Sequence, residues 1–203
     1  ALELAAIRPV ASVALLSPAG MWRRRTPLYN RLSLRATRWL CKHAAGALSQ
    51  VVRLRLGRVL VLGQTHGRPG RTTAAYANDA IRAMGTCPGF DAALAATLPR
   101  RYQGGRPILA PVTVAFGSRD ALLLPRLSRH LDELPPGTRV GELPGCGHVP
   151  TTDNPAAVVA LIRDSAGRAV PRSAVERPAV RDVSAPRTRP SADDGIERSA
   201  TAR

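Results

Sequence analysis

The sequence predicts an α/β protein with a small parallel sheet, and three observations lead to this prediction. Short apolar runs alternate along the chain with helical patterns, the runs are nearly continuous in their apolar character, and each run ends in turn-forming residues. Continuous apolar runs are typical of parallel strands that are covered on both faces. The 203 residues, 44% hydrophobic and 22% charged, are enough for one globular domain with a real core.

The three apolar runs define three expected strands. Residues 10–16 (VASVALL) lie between Pro9 and a Ser-Pro-Ala-Gly turn, and we expect this strand to be buried on both faces. Residues 111–116 (PVTVAF) form the second run and end at Gly117. Residues 138–143 (TRVGEL) form a weaker third run after the turn at 135–137. Three strands joined by helical segments predict a parallel sheet.

Two helices flank the third strand. Residues 122–134 carry leucines at three-to-four spacing, at positions 124, 127, 131 and 134, and this spacing predicts one amphipathic helix. The last helix has Asn154 as its capping residue and Pro155 at its first position, with an apolar face formed by Val158, Val159 and Ile162. The chain itself opens with a helical pattern, ALELAAIRP, that has no capping residue before it. We therefore expect that residues precede it in the intact protein.

A long insertion separates the first strand from the second and predicts a helical cap. Residues 21–105 show helical patterns over 50–62, 72–84 and 90–98 and no convincing strand. An earlier helix is expected to bury an apolar face and to present a basic face to solvent. The apolar face consists of Leu32, Ala36, Trp39 and Leu40, and the basic face consists of Arg31, Arg35, Arg38 and Lys42. The expected organisation is core segments at 1–20 and 106–167, a cap at 21–105 and a disordered basic tail at 168–203.

The positive charge is concentrated in the insertion. The chain has 30 basic and 14 acidic residues, and 15 of the basic against 2 of the acidic residues lie between residues 21 and 105. Such an excess suggests an alternative function as a basic module, in which the chain binds polyanions through the Arg23–Arg25 run and the basic helix face. Aromatic residues do not alternate with the arginines, so we expect no specific nucleic-acid binding.

The cysteines and the hydropathy of the chain argue against several further classes of protein. Cys41, Cys87 and Cys146 have neither zinc-site spacing nor an even number, so we expect neither a metal site nor disulfides. No apolar run reaches the roughly 18 residues that a membrane span needs. The expectation is a cytoplasmic protein without a cofactor; the oligomeric state is left open.

Two ionisable residues follow the second and third strands. Asp120 comes after the second strand in VTVAFGSRD, and His148 comes after the third in ELPGCGHVP. The carboxyl ends of parallel strands meet at one edge of the sheet, where α/β enzymes collect their chemistry. A carboxylate that accepts a hydrogen bond from one imidazole nitrogen leaves the other nitrogen free to act as a base. We therefore expect Asp120 within hydrogen-bond reach of His148.

Other interpretations of these residues stay open at this point. Asp120 could cap the helix that follows it, and His148 could have a structural role. A nucleophilic pair of Cys146 with His148 is conceivable, but two side chains on one tight turn seldom face each other. His43, His66 and His130 lie in the insertion or on a helix, and we expect them at the surface; these three complete the histidines of the chain.

Three segments together resemble the C-terminal part of the α/β-hydrolase superfamily. They are SVALLSPAG, APVTVAFGSRDALL and LPGCGHVPTTDNPAAVVALI, which are similar in order and spacing to the last three strands of that fold. The resemblance covers about residues 1–166, including a helical cap. It implies that Asp120 is the acid and His148 the base of a Ser-His-Asp triad, and that the protein hydrolyses an ester or a related acyl bond.

The family's nucleophile motif, GxSxG, does not occur in these 203 residues. Ser17 and Ser118 lie near strand ends but lack the motif. The resemblance thus implies that the nucleophile and the oxyanion loop belong to sequence before residue 1, and that this chain by itself is inactive. The alternatives are a non-catalytic homologue, the basic module, or another chemistry of this fold, such as C–C bond hydrolysis, dehalogenation or perhydrolysis.

Overall fold

The computed structural model describes residues 1–169, so most of the expected disordered tail, residues 170–203, lies outside the described residues. Three strands, β1 (Val13–Leu16), β2 (Val112–Gly117) and β3 (Arg139–Leu143), form a parallel sheet in the order β1-β2-β3. In the register, Val13 lies opposite Val112 and Thr113 lies opposite Arg139. The predicted α/β class, with a parallel sheet, is confirmed.

Helices occupy most of the remaining described chain. Within residues 1–169 they are α1 (Leu2–Ala5), α2 (Leu28–His43), α3 (Ala45–Val51), α4 (Arg55–Leu62), α5 (Ala74–Thr86), α6 (Phe90–Thr97), α7 (Pro125–Ser128), α8 (Pro150–Asp153) and α9 (Pro155–Gly167), with a 3-10 turn at Pro69–Arg71. Helices α2 to α6 all lie in the segment between β1 and β2. No helix of the described residues is both long and apolar enough to cross a bilayer.

The sheet is covered most completely at its central strand. All six residues of β2 are buried, whereas β1 has an exposed Ala14 and β3 is exposed up to its last residue, Leu143. The expectation that the first strand is buried on both faces is therefore wrong for β1. One cluster around Val114 and Phe116 fills one side of β2, and a second around Ala115 lies beneath the turn that carries His148.

The segment between β1 and β2 has a small core of its own. Val52 and Ala77 are fully buried there, together with Cys41, Leu62 and Ile81. These residues come from α2, α4 and α5 and from the link between α3 and α4, so the helices of this segment pack on one another.

The predicted helix over residues 122–134 is wrong in its length, because only α7 (Pro125–Ser128) is helical. Arg129 leaves the helical conformation, with φ −125° and ψ 52°. Its Nη2 donates to the carbonyl of Gly117, and the backbone N–H of His130 donates to the carbonyl of Met21. These long-range bonds replace the next helical turn, and Leu131 and Leu134 still pack against the sheet.

The predicted helix over residues 50–62 is two helices, α3 and α4. Leu54 is extended between them, and Nη1 of Arg58 donates to the carbonyls of Val52 and Arg53 beyond the end of α3. Gly57 permits the close approach of α4, because a Cβ there would lie 1.8 Å from the carbonyl oxygen of Val51.

Helix α2 buries a different face from the predicted one. Leu32 and Trp39 of the expected apolar stripe are 57% and 60% exposed, while Asn30 and Cys41 are buried. Arg38, expected in solvent, turns inward: Nη2 donates to the carbonyl of Cys87, and the guanidinium lies over the ring of Phe90. The hydrogen bonds to carbonyls of the neighbouring helices decide this orientation, and the periodicity of α2 alone cannot reveal them.

Helix α9 begins as the sequence predicts. Oδ1 of Asn154 accepts from the backbone N–H of Ala157, and Pro155 occupies the first turn. The apolar face is only partly as expected, since Val158 is buried but Val159 and Ile162 are 44% and 46% exposed.

Candidate active site

Asp120 and His148 lie side by side at the carboxyl end of the sheet. Nδ1 of His148 is 3.1 Å from Oδ2 of Asp120, so the expected hydrogen bond is present. The Asp120 side chain is fully buried, and the His148 side chain keeps 24% exposure. The residues come from the turns after β2 and β3, two neighbouring parallel strands.

Asp120 is held as a carboxylate by donors on every side. Oδ1 accepts from the backbone N–H groups of Leu122 and Leu123, at 2.9 and 2.8 Å. Burial alone would raise the pKa of Asp120, but the hydrogen bonds from His148, Leu123 and Leu122 outweigh it and lower the pKa below its ordinary value. The capping interpretation of Asp120 is thus half right: it binds the N–H groups that a cap binds, although no helix begins there.

Close backbone contact brings the two turns together. Gly117, at the end of β2, leaves no room for a side chain, because a Cβ there would lie 2.2 Å from the carbonyl oxygen of Gly147. The N–H of Arg119 donates to the carbonyl of Cys146, and Oγ of Ser118 accepts from the N–H of Gly145. These contacts fix the His148 turn against the Asp120 turn.

Asp153 fastens the His148 turn to the helical segment. Its Oδ2 accepts from the N–H groups of Gly67 and Gly147, both at 2.7 Å, and its Oδ1 accepts from the N–H of Arg68 at 3.0 Å. Carboxylate bonds of this length are among the stronger hydrogen bonds in proteins. Asp153 is not among the predicted site residues, although its position five residues after His148, before an Asn-Pro helix start, could have pointed to it.

The same helical segment also contacts the Asp120 turn. Nδ2 of Asn30 donates to the carbonyl of Leu122, and the hydroxyl of Tyr29 donates to the carbonyl of Ala121, both at 2.6 Å. Both donors lie in the first turn of α2. The turns of the candidate acid and the candidate base are therefore each braced by residues from the segment between β1 and β2.

His66 is buried, with only 5% of its surface exposed, so its predicted surface location is wrong. Its ring bridges Thr65 Oγ1 at 2.9 Å and the hydroxyl of Tyr76 at 3.0 Å, and that hydroxyl lies 3.1 Å from Thr152 Oγ1. Burial lowers the pKa of His66, although Asp153 opposes this. His66 precedes Gly67, just as His148 follows Gly147. This second histidine beside a glycine could have indicated from the sequence that His66 is not a surface residue.

The other candidate residues, Cys146, His43 and His130, form no hydrogen bond with Asp120 or His148 in the described chain. Cys146 is fully buried beneath the sheet end, and burial raises the pKa of its thiol, which disfavours the thiolate form that a nucleophile needs. His43 stacks on the exposed Trp39, and His130 lies 3.6 Å from Asp132. Within residues 1–169, no three metal-binding side chains cluster.

The two serines near strand ends have different surroundings. Ser17 follows β1 with a φ of 42° and is buried, and its hydroxyl has no hydrogen-bond partner among residues 1–169. Ser118 is exposed and accepts from Gly145. Neither serine lies within hydrogen-bond distance of His148, whose Nε2 bonds to no residue of the described chain.

Comparison with solved structures gives the fold to which this site belongs. BpoC of Mycobacterium tuberculosis H37Rv, which carries the name non-heme bromoperoxidase, matches with a TM-score of 0.50 and 23% identity over 80% of this chain and 60% of its own. Rv0554 of M. tuberculosis matches with a TM-score of 0.48 and 22% identity over 83% and 61%. The chain thus spans 60% and 61% of the lengths of these two proteins. No protein-family model and no curated protein sequence matches it. The chain has an α/β-hydrolase fold over the matched part.

Proposed function

We infer that Asp120 and His148 are the acid and base of a hydrolase that acts on an ester or a related acyl bond of a small molecule. The observation that carries this proposal is the 3.1 Å contact between Nδ1 of His148 and a buried carboxylate whose other oxygen is held by two backbone N–H groups. The pair lies at the sheet edge where parallel α/β folds place their chemistry.

In this proposal each side chain has a separate role. The Asp120 carboxylate can only accept, so it holds the proton of His148 on Nδ1 and leaves the lone pair on Nε2. Nε2 then removes the proton from an attacking hydroxyl and returns it to the leaving group. Asp120 stabilises the imidazolium that exists between these two transfers.

In this proposal the nucleophile is a serine outside residues 1–203, since these residues contain no GxSxG motif. We propose further that residues 21–105 form a cap over the substrate. The bonds from Tyr29 and Asn30 to the Asp120 turn, and from Gly67 to Asp153 beside His148, support that role because they attach the helical segment at the site.

The test compares the longest open reading frame that contains these residues with the 203-residue chain, both assayed on p-nitrophenyl esters. We expect turnover by the longer protein, and His148→Ala and Asp120→Asn should each lower kcat by about 10⁴-fold or more. Asp164→Asn, which removes a carboxylate that is 62% exposed on α9, is the matched control. Turnover that survives His148→Ala would contradict the proposal.

The 203-residue chain provides the complementary measurement. We expect it to hydrolyse none of these esters, because an acid–base pair without its nucleophile loses about a millionfold in rate. Turnover by this chain that His148→Ala abolishes would show that the nucleophile lies within it. If the longer protein instead carries aspartate at the serine position, the dehalogenase alternative replaces ester hydrolysis.

A further inference from the structure

A cavity of about 370 Å³ lies between α4, the 3-10 turn and the turn that follows β2. Four arginines line it, together with Val59, Pro69 and two glycines: Arg55, Arg68, Arg71 and Arg119. No carboxylate of residues 1–169 lines the cavity. Its volume falls in the range of small-molecule sites.

The charge of these four arginines is not balanced by ion pairs within the described residues. The ion pairs of residues 1–169 involve other arginines and none of these four. Asp153 lines a neighbouring cavity with Arg68 and Arg71, but its two oxygens already accept three backbone N–H groups. Like charges that share one cavity repel one another, and an anion placed among them relieves the repulsion.

All four arginines are exposed residues, and three of their guanidinium groups lie close to the backbone of neighbouring segments. Nη1 of Arg119 donates to the carbonyl of Gly67 at 3.2 Å. Arg55 lies against Gly70, where a Cβ would come within 3.1 Å of Nε, and Arg68 lies against Gly145, where a Cβ would come within 2.7 Å of Nη2. The bond of Arg119 restricts that side chain before binding, so it loses less entropy when a ligand arrives.

We propose that this cavity binds a pyrophosphate-type oxyanion, either free or as part of a nucleoside diphosphate. Guanidinium groups present paired N–H donors that match the oxygens of phosphate groups, and four of them suit an anion with several negative charges. The glycines at 67 and 70 let the backbone line the cavity without side chains in the way. This site does not depend on the hydrolytic role of His148.

The test is isothermal titration calorimetry of the 203-residue chain with sodium pyrophosphate and, separately, with ADP. We expect saturable one-to-one binding, weakened at least about tenfold, roughly 1.4 kcal/mol, by the double variant Arg68→Ala/Arg71→Ala. The control Arg23→Ala/Arg24→Ala removes the same charge from exposed positions outside the cavity and should change the affinity less than about twofold. Tighter binding of ADP than of pyrophosphate would assign the nucleotide form, and equal or weaker binding would assign the free anion.

A second pair of variants covers the case in which the first double variant does not fold. Arg55→Ala removes a cavity arginine from α4, and Arg53→Ala removes an exposed arginine that does not line the cavity. The proposal is overturned if both members of either pair weaken binding equally, or if pyrophosphate and ADP show no saturable binding. A single-stranded RNA that binds more tightly than both, with equal loss in Arg53→Ala and Arg55→Ala, would point instead to a diffuse basic surface.

Discussion

The turn of Asp120 and the turn of His148 hold their side chains in different ways. Asp120 is held by N–H groups two and three residues further along its own turn. The His148 turn is held by Asp153, which also binds Gly67 and Arg68, 86 and 85 residues away in sequence. The carboxylate of the acid is therefore held within its own turn, which Tyr29 and Asn30 brace from outside. The turn of the base is instead fastened to a distant segment through the carboxylate of Asp153.

The largest effect on stability is expected from Gly147→Ala, which disrupts the contact between the His148 turn and residues 65–67. A Cβ there would lie 2.6 Å from backbone atoms of residues 65–67, and backbone cannot move aside as a side chain can. We expect the free energy of unfolding to fall by about 3 kcal/mol, measured by urea denaturation. Gly167→Ala is the control, since a Cβ there would meet no atom of another segment of residues 1–169 within 4 Å, and it should cause no loss. Equal stability of Gly147→Ala and the unsubstituted chain would refute the close contact.

Asp153→Asn tests the bonds that fasten the His148 turn. The amide has one acceptor oxygen in place of two, so at least one of the three N–H groups loses its partner, and we expect a loss of about 2 kcal/mol. The proton between His148 and Asp120 should exchange faster and broaden in the low-field ¹H NMR spectrum. Asp164→Asn, which removes the same charge at an exposed position, should leave this signal sharp. A sharp signal in both variants would mean that Asp153 does not position His148.

Asp120→Asn tests the locally held acid through the pH dependence of stability. The pKa of Asp120 is lower in the folded state than in the unfolded chain, so its stabilisation is complete above about pH 4 and is lost as the pH falls through the folded-state pKa. The stability difference from the unsubstituted chain should therefore be largest near pH 7 and shrink below pH 4. Asp79→Asn, at a 70% exposed position, should show a small difference at every pH. A pH-independent difference for Asp120→Asn would argue against a lowered pKa.

The smallest effect is expected from Tyr29→Phe, which removes the bond to the carbonyl of Ala121. Tyr29 is partly exposed, so water can replace the lost donor, and we expect a loss of about 0.5 kcal/mol. Because Leu122 and Leu123 still hold Asp120, the low-field signal of the His148 proton should stay unchanged. A loss of that signal would show that the Asp120 turn, too, depends on the helical segment.

The sequence predicted the parts of this molecule whose causes are local. Continuous apolar runs with turn residues at their ends located the three strands, and the Asn154–Pro155 start of α9 followed from capping rules. The position of Asp120 and His148 at one sheet edge followed from strand polarity alone. The prediction of a helix over residues 122–134 was wrong because hydrogen bonds from Arg129 and His130 to distant carbonyls replace its second half.

By itself the sequence determined the fold class, the positions of the strands along the chain and the two residues at the carboxyl edge of the sheet, because apolar runs and glycine turns act through near neighbours. Only the tertiary structure decided which face of α2 is buried, that His66 lies in the interior, that Asp153 holds the His148 turn, and that four arginines share one cavity. These features rest on hydrogen bonds and contacts between residues tens of positions apart. A local pattern such as the glycine beside His66 can mark a residue as a candidate, but it does not encode the distant partner.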